Sequence, residues 1–143
     1  MGTLRKMKNK KIHNAMMKSA MLFADLSYAK RLKVGAVLSK DKRIIACGYN
    51  GTLPKSDNTC EINNITCETV IHAEQNILSF CAKNGIRTNN TILYVTTSPC
   101  IECAKLIISA GIKKVYYLEK YRNINGLNLL KDNNIKCKQL KDI

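Results

Sequence analysis

Two short segments, His72-Ala73-Glu74 and Pro99-Cys100-Ile101-Glu102-Cys103, constrain this chain more than anything else in it. One imidazole and two thiols are donors of the kind zinc prefers. Catalytic zinc sites use three protein ligands, which leaves the fourth tetrahedral position to water. His72, Cys100 and Cys103 are therefore candidate ligands, and any fold that uses them must bring the two segments together. Glu74 lies two residues past the histidine, outside the ligand set, and is the candidate proton carrier. A structural zinc would ask for a fourth protein ligand and would assign Glu74 no task.

The rest of the sequence sets limits. With 143 residues the chain has the length of one ordinary domain, read here as a basic N-terminal arm (residues 1–12) and a single domain (residues 13–143). No apolar run approaches membrane-spanning length, and the N-terminus has no signal-peptide apolar core. Lys6 also breaks the myristoylation pattern. These features suit a soluble, cytoplasmic protein with no membrane partner. The seven cysteines are an odd number without an export signal, which argues against a disulfide framework and for thiols kept reduced. Cys47, Cys81 and Cys137 read as packed thiols. Cys60 and Cys67 flank a polar loop and could hold a second zinc, although no complete four-ligand set accompanies them.

The net charge is +14, and Arg5, Lys6, Lys8, Lys10 and Lys11 form the basic arm. Such an arm could touch nucleic acid, but it could equally be a solvated terminus. Aromatic residues are few and do not alternate with basic ones as a base-stacking platform would require. The balance favours a positive potential that attracts a phosphorylated small substrate.

The chain alternates helical and strand patterns. A helix is expected over residues 13–30, where Ala15, Met16, Ala20, Phe23 and Ala24 recur at helical spacing. Val34–Leu38 and Ile44–Tyr49 read as a hairpin around the polar turn 39–43. Residues 50–70 read as a long loop. A helix should start between Glu68 and His72 and run to about Lys83, with Gly85 ending it. Then follow a strand at Thr91–Thr96, a helix at Cys100–Ala110 stopped by Gly111, a strand at Lys114–Leu118, a short helix at Asn123–Lys131 and a last strand at Ile135–Leu140. Pro99 suits the first turn of its helix, because its missing N–H is not needed there. Both candidate ligand segments thus fall at helix starts that follow loops, where an α/β sheet opens its binding crevice. Partial positive charge at a helix start also favours thiolate at Cys100 and Cys103.

The spacing H-x-E with P-C-x-x-C resembles that of zinc-dependent base deaminases. The resemblance narrows to the deoxycytidylate (dCMP) deaminases. The segment from Pro99 to Val115 is similar to theirs, as are Lys33-Val34-Gly35-Ala36-Val37 with Gly48-Tyr49-Asn50-Gly51-Thr52, and Tyr121-Arg122 with Gly126-Leu127. It extends from about residue 14 to the end. It implies a three-layer α/β/α sandwich around a mixed five-stranded sheet, and hydrolysis of dCMP to dUMP and ammonia for thymidylate synthesis. It further implies one catalytic Zn²⁺ per chain, a homo-oligomer (often a hexamer), activation by dCTP, with Mg²⁺ accompanying that effector, and inhibition by dTTP. Carried over by position, the resemblance makes Asn50, Ser98, Tyr121, Phe80 and Lys83 candidate substrate contacts. Lys33, Tyr49, Gly51 and Thr52 become candidate allosteric positions, and Lys33 and Arg31 could serve either a phosphate or an allosteric nucleotide.

The compact architecture is similar to virus- or phage-encoded members, for which the compartment would be the host cytoplasm. Other readings stay open at this point. They are a deaminase that also accepts dCTP, a nucleic-acid cytosine or adenosine deaminase, and a zinc-stabilised regulator that binds nucleotide without releasing ammonia.

Overall fold

The computed structural model describes residues 2–143. Its elements in order are α1 (Gly2–Ala24), β1 (Gly35–Lys40), β2 (Arg43–Tyr49), β3 (Glu61–Ile62), β4 (Ile65–Thr66), α2 (Ala73–Asn84), β5 (Ile92–Thr97), α3 (Ile101–Ser109), β6 (Lys114–Glu119), α4 (Asn125–Asp132) and β7 (Lys136–Gln139). Five strands form one sheet in the order β2-β1-β5-β6-β7. β1 pairs antiparallel with both β2 and β5, whereas β6 runs parallel to β5 and β7 parallel to β6. The sheet is therefore mixed, with α1 on one face and α2, α3 and α4 on the other.

The period-2 alternation of the strands builds both faces. Ala36, Leu38, Leu93, Val95, Val115 and Tyr117 point to the larger core, where they meet Ile77 of α2, Ile107 of α3 and Leu127 and Leu130 of α4. The residues between them, Val37, Tyr94 and Tyr116, point the other way and pack under Met16, Met17 and Ala20 of α1. β5 and β6 are covered on both faces, which is why they read as nearly continuous apolar runs. α1 lies so close to the start of β1 that a Cβ on Gly35 would come within 2.5 Å of the Ala24 backbone nitrogen.

Three local features differ from the sequence expectation. Helix α1 covers residues 2–24 rather than 13–30. Residues 2–11 are exposed and carry no apolar stripe, so periodicity could not reveal them, yet they contain strong helix formers and no breaker after Gly2. The helix then ends at Ala24, before the 25–34 connection. Second, the 50–70 loop contains the β3–β4 hairpin, turned by Asn63 and Asn64 with φ of 53° and 62°. Two positive-φ residues in a two-residue loop match the twist of a hairpin, and asparagine tolerates that conformation well. Third, Cys100 is the N-cap of α3, so Pro99 sits just before the cap rather than in the first turn.

His13 bridges α1 and the sheet. Its Nδ1 lies 2.7 Å from the Tyr94 hydroxyl and its Nε2 3.4 Å from that of Tyr116. Burial pushes its pKa below the ordinary value, and the neighbouring ammonium groups of Lys114 and Lys138 push the same way. A histidine depressed in the folded state binds fewer protons there than in the unfolded chain. Its contribution to stability is full above the unfolded value near 6.5 and is lost as the pH falls below it. Thermal unfolding followed from pH 8 to pH 5 should show a steeper decline below about 6.5 in the wild type than in His13→Gln. Parallel declines would mean that His13 does not carry this pH dependence.

Candidate metal centre and substrate cleft

Two helix starts face one another at the C-terminal end of the parallel strands. His72 is the N-cap of α2, in extended conformation, and its backbone N–H donates to Oε1 of Gln75 at 2.7 Å. Gln75 thereby fixes the turn that presents the imidazole. Cys100 caps α3, and Cys103 lies one turn in, buried. Nδ1 of His72 lies 3.5 Å from Sγ of Cys100 and 3.3 Å from Sγ of Cys103. All three donor atoms fall within 4.8 Å of one another, the only such cluster among the described residues.

These donors fit zinc. A tetrahedral ion about 2.0 Å from nitrogen and about 2.3 Å from sulfur separates the two by about 3.5 Å, close to the distances found. Proton sharing at the cluster points the same way. Hydrogen bonding from Cys103 and His72 draws the Cys100 thiol down to about 3. The Cys103 thiol, next to that thiolate and buried, is pushed far up, and hydrogen bonding to Cys100 raises His72. Two thiols beside a carboxyl cannot all ionise without a compensating cation, which a divalent metal supplies.

Glu74 is the second residue of α2 and is only 4% exposed. Burial pushes its carboxyl up to about 7, despite the opposing influence of its own backbone N–H, His72 and the Cys103 thiol. A carboxyl titrating near neutrality can both accept and return a proton.

His72 and Cys100 of this cluster, with Glu74, line a cleft of about 470 Å³, and Cys103 is buried behind them. Of the candidate contacts, Asn50, Ser98, Tyr121 and Arg31 line it together with His72, Glu74 and Cys100. Phe80, Lys83, Lys33, Tyr49, Gly51 and Thr52 do not. Phe80 points outward from α2 and is 47% exposed, with Lys83 three residues further along the same helix.

Asn50 shapes the cleft wall. Its Nδ2 donates to the Leu32 carbonyl at 2.8 Å and its Oδ1 accepts from the Val34 N–H at 2.9 Å, which leaves one N–H and one lone pair for a ligand. Ser98 accepts from the Tyr121 N–H at 2.7 Å, and its own N–H donates to the Glu119 carbonyl at 2.9 Å. It thus ties the approach to α3 to segment 119–121.

Several lining residues were not singled out from the sequence. Lys120 and Arg122 bring positive charge to the cleft beside Arg31, and the Arg122 guanidinium sits 5.9 Å from the Tyr121 ring centroid. Glu61 also lines the cleft, and its Oε1 accepts from the backbone N–H groups of Lys30 and Arg31 at 2.8 and 3.1 Å. No local motif marks Glu61, because the 30–31 turn that it caps is distant in sequence. The charge alternation Glu119-Lys120-Tyr121-Arg122 could have suggested a polar rim.

Cys60 and Cys67 face each other across the β3–β4 hairpin, where the Cys67 N–H donates to the Cys60 carbonyl at 2.8 Å. No third ligand joins them among the described residues, so the second zinc weighed from the sequence has no ligand set there.

Gly126 sets the position of the cysteine turn. A Cβ at this residue would lie 2.7 Å from the Cys100 carbonyl carbon, so only glycine lets α4 rest against the Pro99–Cys100 backbone. Gly126→Ala should push Cys100 away from His72 and weaken zinc binding by roughly 10- to 100-fold, as losing an outer support does. Competition with a chromogenic chelator measures this, and unchanged affinity would show that α4 does not position the turn.

Residues 10–119 match the family model described as the cytidine and deoxycytidylate deaminase zinc-binding region. The ComE operon protein 2 of Bacillus subtilis (strain 168) is 44% identical over 110 residues, which are 74% of this chain and 58% of that protein. The deoxycytidylate deaminase of Enterobacteria phage T4 is 31% identical over 131 residues, 62% of this chain and 68% of that protein. The deoxycytidylate deaminase of Saccharomyces cerevisiae is 33% identical, over 86% of this chain but 43% of its own length. This chain therefore spans about half the length of some curated relatives it matches. Among solved structures, the dCMP deaminase of cyanophage S-TIM5 in complex with dCMP and dUMP superposes with a TM-score of 0.88 at 40% identity, covering 91% of this chain and 97% of that one.

Proposed function

This chain belongs to the cytidine and deoxycytidylate deaminase family, and on that footing we propose that it hydrolyses dCMP to dUMP and ammonia. One observation carries the proposal. A buried glutamate that titrates near neutrality sits beside a one-nitrogen, two-sulfur ligand set, and both open into a cleft with a cationic rim. The phage T4 relative carries the same name as this activity, and the cyanophage relative holds dCMP and dUMP.

His72, Cys100 and Cys103 would hold the zinc, which supplies Lewis acidity toward a water at the reacting carbon. Glu74 takes a proton from the attacking water. It delivers that proton to the ring nitrogen next to the carbon bearing the exocyclic amine, and carries a second proton to the departing amine. Water is consumed, the C–N bond breaks, ammonia leaves, and a carbonyl remains on the ring. Lys120, Arg122 and Arg31 lie on the rim and suit the 5′-phosphate. Tyr121 joins them at the same rim. Asn50 offers its remaining N–H to the sugar or base, and Ser98 holds the Tyr121 backbone in register.

The finer reading rests on the family resemblance. It comprises activation by dCTP with Mg²⁺, inhibition by dTTP, assembly into a hexamer and a cytoplasmic location. Lys33, Tyr49, Gly51 and Thr52 lie outside the cleft, a placement compatible with an effector contact. No helix of the described residues is long and apolar enough to cross a membrane.

The test is to incubate zinc-loaded protein with dCMP, with and without dCTP and Mg²⁺, and to measure dUMP and ammonia. Glu74→Gln should keep its zinc and lose activity by roughly 10²- to 10⁴-fold or more. Lys120→Gln/Arg122→Gln should raise KM for dCMP far more than it lowers kcat. Equal turnover by wild type and Glu74→Gln would remove the proposed role of Glu74. Intact dCMP in every lane would remove the substrate assignment.

A further inference from the structure

A second concavity, of about 640 Å³, lies at the far end of β6 from the cleft. Glu119 at the last position of β6 lines the cleft, whereas Lys114 at its first position lines this concavity. Four lysines surround it: Lys114 on β6, Lys131 in the last turn of α4, and Lys136 and Lys138 on β7. No acidic side chain lines it. Among the described residues the only ion pair is Lys105 with Glu102, on α3.

The register explains the clustering. Lys114 is paired with Lys136, and Tyr116 with Lys138, so three lysines and the tyrosine share one sheet face. Strand spacing puts Lys114 and Lys136 about 4.8 Å apart at the backbone, and Lys138 about 6.6 Å further along. α1 shields this face over β1, β2 and β5 and reaches β6, with no comparable packing on β7. Like charges side by side on a sheet repel and are destabilising when nothing compensates them. Lysines on an edge strand guard against edge-to-edge association, and that accounts for Lys136 and Lys138. It does not account for Lys114 on an interior strand, or for Lys131, which lines the same concavity from the last turn of α4 at the end of the strands.

We infer that this concavity is a binding site for an oligophosphate anion, neutralised by Lys114, Lys131, Lys136 and Lys138. Several ammonium groups spread over several ångströms match an anion that carries several charges along its length, and each ammonium offers three donors. Tyr116 lines the site, and its hydroxyl lies 3.4 Å from Nε2 of His13 on α1. This site is independent of the deaminase reading and lies at the opposite end of the sheet from its residues.

The molecule contains its own reporter. His13 and His72 are the only two histidines, and Lys114 and Lys138 are among the groups that depress His13. The charged or titratable groups around His13 are Tyr94 on β5, Tyr116 and Lys114 on β6, and Lys138 on β7. An anion on these lysines would offset their influence and raise the His13 pKa. Zinc-loaded full chain would be titrated by NMR with inorganic tripolyphosphate and, in a second arm, with ATP, which carries the same anion on a nucleoside.

Saturable binding with an upward shift of the His13 titration is expected. Lys136→Gln/Lys138→Gln should weaken binding roughly tenfold or more. Lys42→Gln/Lys55→Gln, which removes the same net charge elsewhere, should leave it unchanged. Tripolyphosphate binding as tightly as ATP would identify a free oligophosphate as the ligand, and tighter ATP binding with the same lysine dependence would identify a nucleotide. An unmoved His13, equal losses in the two double variants, or binding of a single-stranded oligonucleotide without binding of tripolyphosphate would overturn the inference.

Discussion

Two helix starts must meet within a few ångströms for the centre of this molecule to exist. His72 caps α2 and Cys100 caps α3, and the imidazole nitrogen comes within 3.5 Å of both sulfurs. Each helix follows the loop that precedes it, so the meeting depends on the central strands β1, β5 and β6 lying side by side. The larger core then fixes the height of α2 and α3 above the sheet through Ile77 and Ile107. Gly126 of α4 presses against the backbone at Cys100, and Ser98 ties the approach to α3 to the rim at Tyr121. These contacts reach the site through backbone geometry rather than through side chains that touch a substrate.

Charge divides the molecule into two ends. At one end of β6 the cleft mixes Arg31, Lys120 and Arg122 with Glu61, Glu74 and Glu119, a balance suited to a small polar ligand with one anionic group. At the other end four lysines stand without an acid. The net charge of +14 is therefore more than a general solubility feature, because part of it is gathered by strand register into one concavity. His13 connects that end to the smaller core, with its imidazole against Tyr94 and Tyr116, whose rings stack on each other.

The metal-binding motifs and the sheet were legible because both rest on local rules. H-x-E and P-C-x-x-C fix donor type and spacing, and apolar alternation in β5 and β6 marks central strands. Features set by long-range geometry were not legible. Asn50 could be picked out as a turn amide, but its commitment to Leu32 and Val34 depends on where the 32–34 segment passes. Phe80 and Lys83 sit on the helix that carries His72, yet helical rotation turns Phe80 to solvent and neither residue lines the cleft. The hairpin at Asn63-Asn64 was readable in principle, since two asparagines between β-branched residues are a turn signal. The first half of α1 lacks an apolar face, so only propensity could have indicated it.

X-ray absorption at the zinc edge tests the central claim most directly, because it reads ligand type, number and distance at the metal itself. The account predicts one zinc per chain, with one protein nitrogen at about 2.0 Å, two sulfurs at about 2.3 Å and one further light atom that exogenous ligands can exchange. Substituting Cys103 with serine should then remove one sulfur from the shell. A spectrum with four protein ligands, with three or more sulfurs, or unchanged by that substitution would contradict an open three-ligand centre at the two helix starts.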